Sequence, residues 1–163
     1  MLLLFASQAQ AQTTYPDYEN LYVNDYAGII PNSWESRLRF KLEALKVARD
    51  IDFTILTINR MSDYGHDGAI EPFATGLFNK WGIGDSLRND GILLLVSRFD
   101  RALRIELGSG YGNALDAEMQ RIINTTITPA FREDAYYAGI DNGATKIIRA
   151  VTGRFPANTI PTF

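Results

Sequence analysis

Lys80-Trp81-Gly82-Ile83-Gly84-Asp85-Ser86-Leu87-Arg88-Asn89-Asp90-Gly91-Ile92-Leu93-Leu94-Leu95-Val96 says more about the architecture than any other segment of the chain. A glycine-punctuated acidic loop runs directly into an apolar, partly β-branched segment. A short charged turn, Ser97 to Arg101, leads to a second segment, Leu103 to Leu107, and then to Gly108-Ser109-Gly110-Tyr111-Gly112 and Asp116. Two strands this close in sequence pair as an antiparallel hairpin. A hairpin sets the start of its first strand beside the end of its second, so Asp85, Asn89 and Asp90 are predicted on the same sheet edge as Asp116. Carboxylate and amide oxygens with few bases among them are the donor set of a hard cation.

N-terminal to this segment, Ile51 to Ile58 is apolar and β-branched and reads as a central strand. Between it and the hairpin, Ile70, Phe73, Ala74, Leu77, Phe78 and Trp81 recur at helical spacing. Strand, helix and strand in this order imply a right-handed parallel crossover. Further upstream, Trp34, Leu38, Leu42 and Leu45 predict a helix to about Arg49, with Asn32 as its N-cap and Glu35 closing a capping box. Leu21 to Asp25 reads as a short strand. Downstream, Met119, Ile122, Ile123 and Ile127 predict a helix that stops before Pro129. Tyr137, Ile140, Ala144, Ile147, Ile148 and Val151 predict another. The fold class is α/β: an α/β/α sandwich around a mixed, mostly parallel sheet. Leu93, Leu94 and Leu95 in succession suit a strand covered on both faces. Leu103, Ile105 and Leu107 alternate with Arg104 and Glu106, as suits a strand nearer the edge.

The chain has 163 residues, 46% hydrophobic and 21% charged, with a formal net charge of −3. That is one domain with room for a core. The acidic balance argues against a nucleic-acid partner, and no stretch is long enough to span a membrane. Cysteine is absent and there is one histidine, which leaves no disulfide and almost excludes a zinc site. Met1 to Ala11 resembles the end of a secretory leader, with Ala9-Gln10-Ala11 as the cleavage triplet. The expected division is a leader remnant over 1–11, an extended arm over 12–20, the domain over 21–153 and a tail over 154–163. Export to the periplasm or the extracellular space follows as an expectation.

Val23-Asn24-Asp25-Tyr26-Ala27-Gly28, Trp81-Gly82-Ile83-Gly84, Asn89-Asp90-Gly91 with its strand, Arg104-Ile105-Glu106-Leu107-Gly108-Ser109-Gly110-Tyr111, Leu115-Asp116, Pro129-Ala130-Phe131-Arg132 and Tyr137-Ala138-Gly139-Ile140 occur in an order that resembles the TPM domain family. The resemblance covers roughly Leu21 to Gly153. It implies an α/β/α sandwich in an exported or lumenal domain, binding of divalent metal (mainly calcium) and acid phosphatase activity. Plant members are tied to photosystem II repair and another member to receptor modulation. Many bacterial members carry a C-terminal membrane helix and a low-complexity tail. Neither is read in this sequence, which predicts a free soluble form. The family's second acidic position in its first motif is Asp25 here, with Asn24 before it. The family's Gly-Asp-Tyr near the last helix reads Glu133-Asp134-Ala135-Tyr136.

The candidate metal ligands are Asp25, Asp85, Asn89, Asp90, Asp116 and Asp134, for Ca2+ or, as alternatives, Mg2+ or Mn2+. Each has a plainer role open to it. Asp116 would cap a helix, Asp90-Gly91 would form a turn, Asp85 would sit on a solvated loop and Asp134 would cap the last helix. Asp25 would stabilise a turn; it precedes a helix expected to begin at the opposite sheet end from Asp90, and the loop to Pro31 is the stretch that could bring it back. The Gly108 to Gly112 loop lacks both the dinucleotide fingerprint and a P-loop lysine, so it reads as a tight turn.

Two functions stay open, beside a weaker third reading of a structural α/β domain whose acids are only caps and turns. One is a calcium-binding interaction or accessory module, with a membrane-protein partner as one option. The other is a metal-dependent acid phosphatase acting on phosphomonoesters through metal-bound water, with Arg88 as phosphate clamp and Asp90 at the site. No nucleophile or general base stands out, which favours the module. The resemblance keeps the enzyme beside it.

Overall fold

A computed structural model describes residues 12–153. The leader and tail expectations lie outside these residues. Four strands form one sheet in the order β1 (Val23–Asp25), β2 (Phe53–Ile58), β3 (Ile92–Ser97) and β4 (Ala102–Leu107). β1, β2 and β3 are parallel, and β4 pairs antiparallel to β3 through the expected hairpin, Ser97 opposite Ala102. α1 (Asn32–Arg49) follows β1, and α2 (Ile70–Trp81) follows β2. After β4 the chain is helical: α3 (Asp116–Ile122), a π-helical turn (Ile123–Ile127), α4 (Thr128–Arg132) and α5 (Tyr136–Thr152).

Every residue of β2 and β3 is buried. On one face Phe53, Ile55, Ile92, Leu94 and Val96 pack with α1, α3 and α5. On the other Leu56, Ile58, Leu93 and Leu95 pack with α2. This is the three-layer sandwich the apolar runs predict. Both crossovers step the same way across the sheet, β1 to β2 and β2 to β3, yet α1 and α2 cover opposite faces. The two therefore have opposite hands, and the right-handed rule holds for only one of them. A single hand would have stacked both helices on one side. As folded, α1 joins α3 and α5 on one face of β2 and β3, and α2 covers the other.

The arm over residues 12–20 has no regular structure and lies on the α2 face. Tyr18 stacks on Trp81 with ring centroids 4.5 Å apart, and the Trp81 indole N–H donates to the Pro16 carbonyl at 3.1 Å. A Cβ on Gly76 would meet the Tyr15 hydroxyl at 2.0 Å, so Gly76 leaves α2 flat where the arm crosses it.

Two local expectations need correction. Asn32 begins α1 rather than capping it. Pro31 holds the cap position without a side-chain hydrogen bond, and its carbonyl accepts the N–H groups of Trp34 and Glu35 at 2.8 and 3.0 Å. Glu35 pairs with Arg39 one turn on instead of closing a capping box. Nor does Pro129 end the helix before it, for it lies in the first turn of α4. A proline ring clashes with the carbonyl four residues back and lacks an N–H. The π turn just before it widens the ladder where that clash would fall. Gly143 of α5 then lets the segment close in, since a Cβ there would meet Ile127 side-chain atoms at 2.7 Å.

Leu94, fully buried in β3, is expected to cost about 2–5 kcal/mol of unfolding free energy as Leu94→Ala in a denaturant titration. Val47, 82% exposed on α1, is expected to cost less than about 0.5 kcal/mol as Val47→Ala in the same assay.

Candidate functional site

β2 and β3 run in parallel, so the residues just before each share one sheet end. Asp50 and Asp52 precede β2, and the Asp85 to Gly91 loop precedes β3. The Ile92 N–H donates to the Asp52 carbonyl at 2.8 Å, joining the starts of the two strands.

The acidic loop is internally tied. The Asp85 carboxylate accepts the N–H groups of Leu87 and Arg88 at 2.9 and 2.8 Å. The Asp85 carbonyl accepts the Asn89 N–H at 2.7 Å. Asn89 takes the left-handed conformation at φ 49°, which asparagine tolerates better than most residues. The Asp90 carboxylate accepts the Asp85 N–H at 3.3 Å.

The glycines serve close backbone approach more than turn geometry. A Cβ on Gly91 would meet the Ile83 carbonyl oxygen at 2.2 Å. Cβ atoms on Gly108 and Gly110 would meet the carbonyl oxygens of Asn89 and Arg88 at 2.1 and 2.0 Å. The acidic loop and the loop after β4 thus lie backbone against backbone. The Gly110 N–H donates to Asn89 at 2.8 Å and the Gly108 N–H to Gly91 at 2.9 Å. The Tyr111 hydroxyl adds a bond to the Asp90 carbonyl at 2.8 Å. Burial, helped by the Asp90 charge, pushes that phenol well above its ordinary range, so Tyr111 stays a neutral donor throughout the physiological pH range.

Arg88 is the hub of this edge. Its Nε donates to the Asp90 carboxylate at 2.7 Å, and Nη2 donates to the Asp50 carbonyl and carboxylate at 2.7 and 2.9 Å. Nη1 lies 3.7 Å from the Asp85 carboxylate. Lys46 pairs with Asp50 at 2.8 Å and Asp52 at 3.0 Å. Lys46 and Arg88 hydrogen-bond the Asp50 carboxyl and lower its pKa; the Arg88 and Leu87 N–H groups lower that of Asp85. Four carboxylates (Asp50, Asp52, Asp85, Asp90) thus share Lys46 and Arg88 as ion-pair partners. Asp50, Asp52 and Lys46 were absent from the sequence-derived set. Their signal is topological: parallel neighbours begin at one end, so acids before one strand meet acids before the next.

The remaining candidates separate. Asp116 is exposed in the first turn of α3, where Leu115 holds the cap position, and it neither caps the helix nor bonds to the Arg88 cluster. Asp25 lies at the far end of the sheet, paired in register with Thr57. Its carboxylate accepts the N–H groups of Ile29 and Ile30 at 3.2 and 2.8 Å and the Thr57 hydroxyl. That is the turn-forming role. It does border an acidic cleft of about 670 Å³ with Glu19 and Glu35. Asp134 follows α4 in a left-handed conformation at φ 55°, and Ala135, not Asp134, precedes α5. It too belongs to the far end, beside Ser97 and Arg98. Among the described residues no three histidine, aspartate or glutamate side chains gather closely enough to hold a metal ion. The oxygen donors at the Arg88 edge suit a hard cation in kind, but they are spread around a guanidinium.

Residues 23–150 match the TPM domain. The chain belongs to the TPM domain family. Solved structures agree with this TPM fold. The N-terminal domain of a P. gingivalis protein is 26% identical, with a TM-score of 0.72 over 86% of this chain and 87% of that one. The N-terminal domain of the cg2496 protein from Corynebacterium glutamicum is 13% identical, with a TM-score of 0.62 over 93% and 94%. The BA42 protein from the psychrophile Bizionia argentinensis is 15% identical, with a TM-score of 0.62 over 78% and 84%. The last two show the fold alone. No functionally curated protein matches the chain. Among the described residues no helix is long and apolar enough to cross a membrane.

Two outcomes are expected of this edge. Gly91→Ala is expected to lose about 2 kcal/mol or more of stability, because the obstructing atom is backbone and cannot swing aside; thermal unfolding checks it. The lowered carboxyl pKa values fix a pH window. Asp85 and Asp50 contribute fully above the unfolded value of 3.8 and lose that contribution as pH falls through their lower folded values. The Leu87 and Arg88 amide resonances are therefore expected to hold steady from pH 7 to pH 5 and to shift below about 3.8.

Proposed function

We propose that this TPM domain is an exported module, working in the periplasm or the extracellular space, whose acidic sheet edge binds a divalent cation and thereby reshapes a surface for a protein partner. Calcium is the ion expected, with Mg2+ or Mn2+ as substitutes. Asp85, Asn89 and Asp90 would hold it, with Asp50 beside them. The observation that carries the reading is the three carboxylates, Asp85 and Asp90 from the acidic loop and Asp50 from the end of α1, drawn around one exposed guanidinium. Arg88 is 45% exposed there, so its ion pairs are individually weak and a doubly charged ion in excess can compete with it. Displacing Arg88 would free the guanidinium and the adjoining Leu87, itself 91% exposed, to form a different surface.

The phosphatase reading asks Arg88 to clamp a phosphate. Its donors are held by Asp50, Asp85 and Asp90, so a phosphate would have to displace those carboxylates, and among the described residues no nucleophile or general base stands out beside it, which favours the module over the enzyme.

Calorimetric calcium titration of the full chain separates the two. Arg88→Gln removes the resident cation and is expected to tighten calcium binding by about ten-fold, a change of about 1.4 kcal/mol. Asp90→Asn is expected to weaken it by a similar factor. Loss of phosphomonoester turnover in Arg88→Gln, with calcium affinity unchanged, would establish the enzyme instead.

A further inference from the structure

At the hairpin end of the sheet, one strand length of about 20 Å from the Arg88 edge, the β3–β4 side is basic, whereas the β1 side carries the acidic cleft of Asp25, Glu19 and Glu35. A cleft of about 500 Å³ opens on the β3–β4 side, bordered by Arg98, Arg101, Arg132, Phe131, Tyr136 and Asp134. Among the described residues none of the three arginines has a carboxylate partner. The one acid inside the turn, Asp100, is turned away: its carboxylate accepts the Ser97 hydroxyl at 2.6 Å and the Met61 N–H at 2.8 Å. In a chain of net charge −3, three guanidinium groups around one concavity, none in an ion pair, are a concentration of unneutralised charge, Arg98 being held by the faces of Phe99 and Tyr136.

Three further observations point the same way. α5 begins at the cleft with Tyr136; its first turn holds no acidic residue and no side-chain cap, so its N–H groups add positive potential there. Arg101 is held in the left-handed conformation at φ 52°, where glycine or asparagine fits with less strain, so an arginine there calls for another reason. The lining is also aromatic: the Phe131 and Tyr136 rings are 5.0 Å apart, and the Arg98 guanidinium lies 5.8 Å from the Tyr136 ring.

We propose that this arginine cleft docks an acidic peptide segment of a protein partner, with carboxylates on Arg98, Arg101 and Arg132 and an apolar side chain against Phe131 and Tyr136. Guanidinium groups suit carboxylates and phosphates alike. The apolar floor and the contribution of arginines from two separate segments favour several single charges alternating with apolar groups over one compact dianion. No residue of the Arg88 cluster borders the cleft, so docking here does not depend on cation binding at the other end.

The test is calorimetry on the full chain with a capped hexapeptide alternating glutamate with phenylalanine. The same peptide carrying glutamine and inorganic phosphate serve as competitors. Saturable binding is expected, about ten-fold weaker in Arg98→Gln and in Arg132→Gln, and unchanged in Arg88→Gln. Arg101→Gly is expected to weaken binding while leaving the melting temperature equal or higher, which separates docking from folding. Asp134→Asn, which removes the one acid on the rim, is expected to strengthen it. Equal affinity for the glutamine peptide, indifference to the three arginine substitutions, or tighter binding of inorganic phosphate than of the peptide would each overturn the proposal.

Discussion

β2 and β3 have no exposed face. Each strand buries six residues in succession, and the polar ones among them are consumed locally. Thr54 donates to the Leu21 carbonyl, Thr57 to Asp25 and Ser97 to Asp100. Burial on both sides stabilises the sheet by roughly 25 cal/mol for each Å² of apolar surface removed from water. It also confines solvent-facing chemistry to the strand ends and the outer helix surfaces. The opposite-handed crossovers put α1 with α3 and α5 on one face of the central pair and α2 on the other.

The two ends have then diverged. Where β2 and β3 begin, the acids before them are drawn onto Arg88, and glycines let the neighbouring loop lie against them without side chains between. At the hairpin end, arginines from the turn and from α4 face a cleft without ion-pair partners, with the α5 N-terminus beside them. On the two proposals, a cation would be held at the Arg88 end and an anionic segment at the arginine cleft on the β3–β4 side of the other end, with the buried strands as a rigid spacer. The two partners would meet different loops and need not compete.

The layers, the hairpin and the element types were legible in the sequence because they rest on periodicity. Ile92 to Val96 has no polar gap and so reads as doubly buried; Ile70 to Trp81 repeats at helical spacing. The misread details depended on competition between local options. Asn32 and Glu35 spell a capping box, but Pro31 supplies the accepting carbonyl and Glu35 finds Arg39. Pro129 reads as a stop, but a π turn absorbs it. The hands of the crossovers depend on which face each helix covers, which no local pattern encodes. Among the candidate ligands, Asp85, Asn89 and Asp90 group together in the sequence because they sit in one loop. Asp50 and Asp52 were missed because their relation to that loop exists only once β2 and β3 pair in parallel. Asp25 and Asp134 share motifs with the family but sit at the other end of the sheet.

If Arg88 is the resident cation of an edge built to exchange it, calcium must release its guanidinium. The Arg88 side-chain Nε–H resonance, followed during calcium titration of the 15N-labelled chain, reports that release. A saturable shift and loss of exchange protection at Arg88 Nε are expected, with parallel shifts at the Leu87 and Asn89 amides and none at Arg98, Arg101 or Arg132. An Arg88 Nε–H signal unchanged at saturating calcium, in a chain that remains folded, would contradict the exchange.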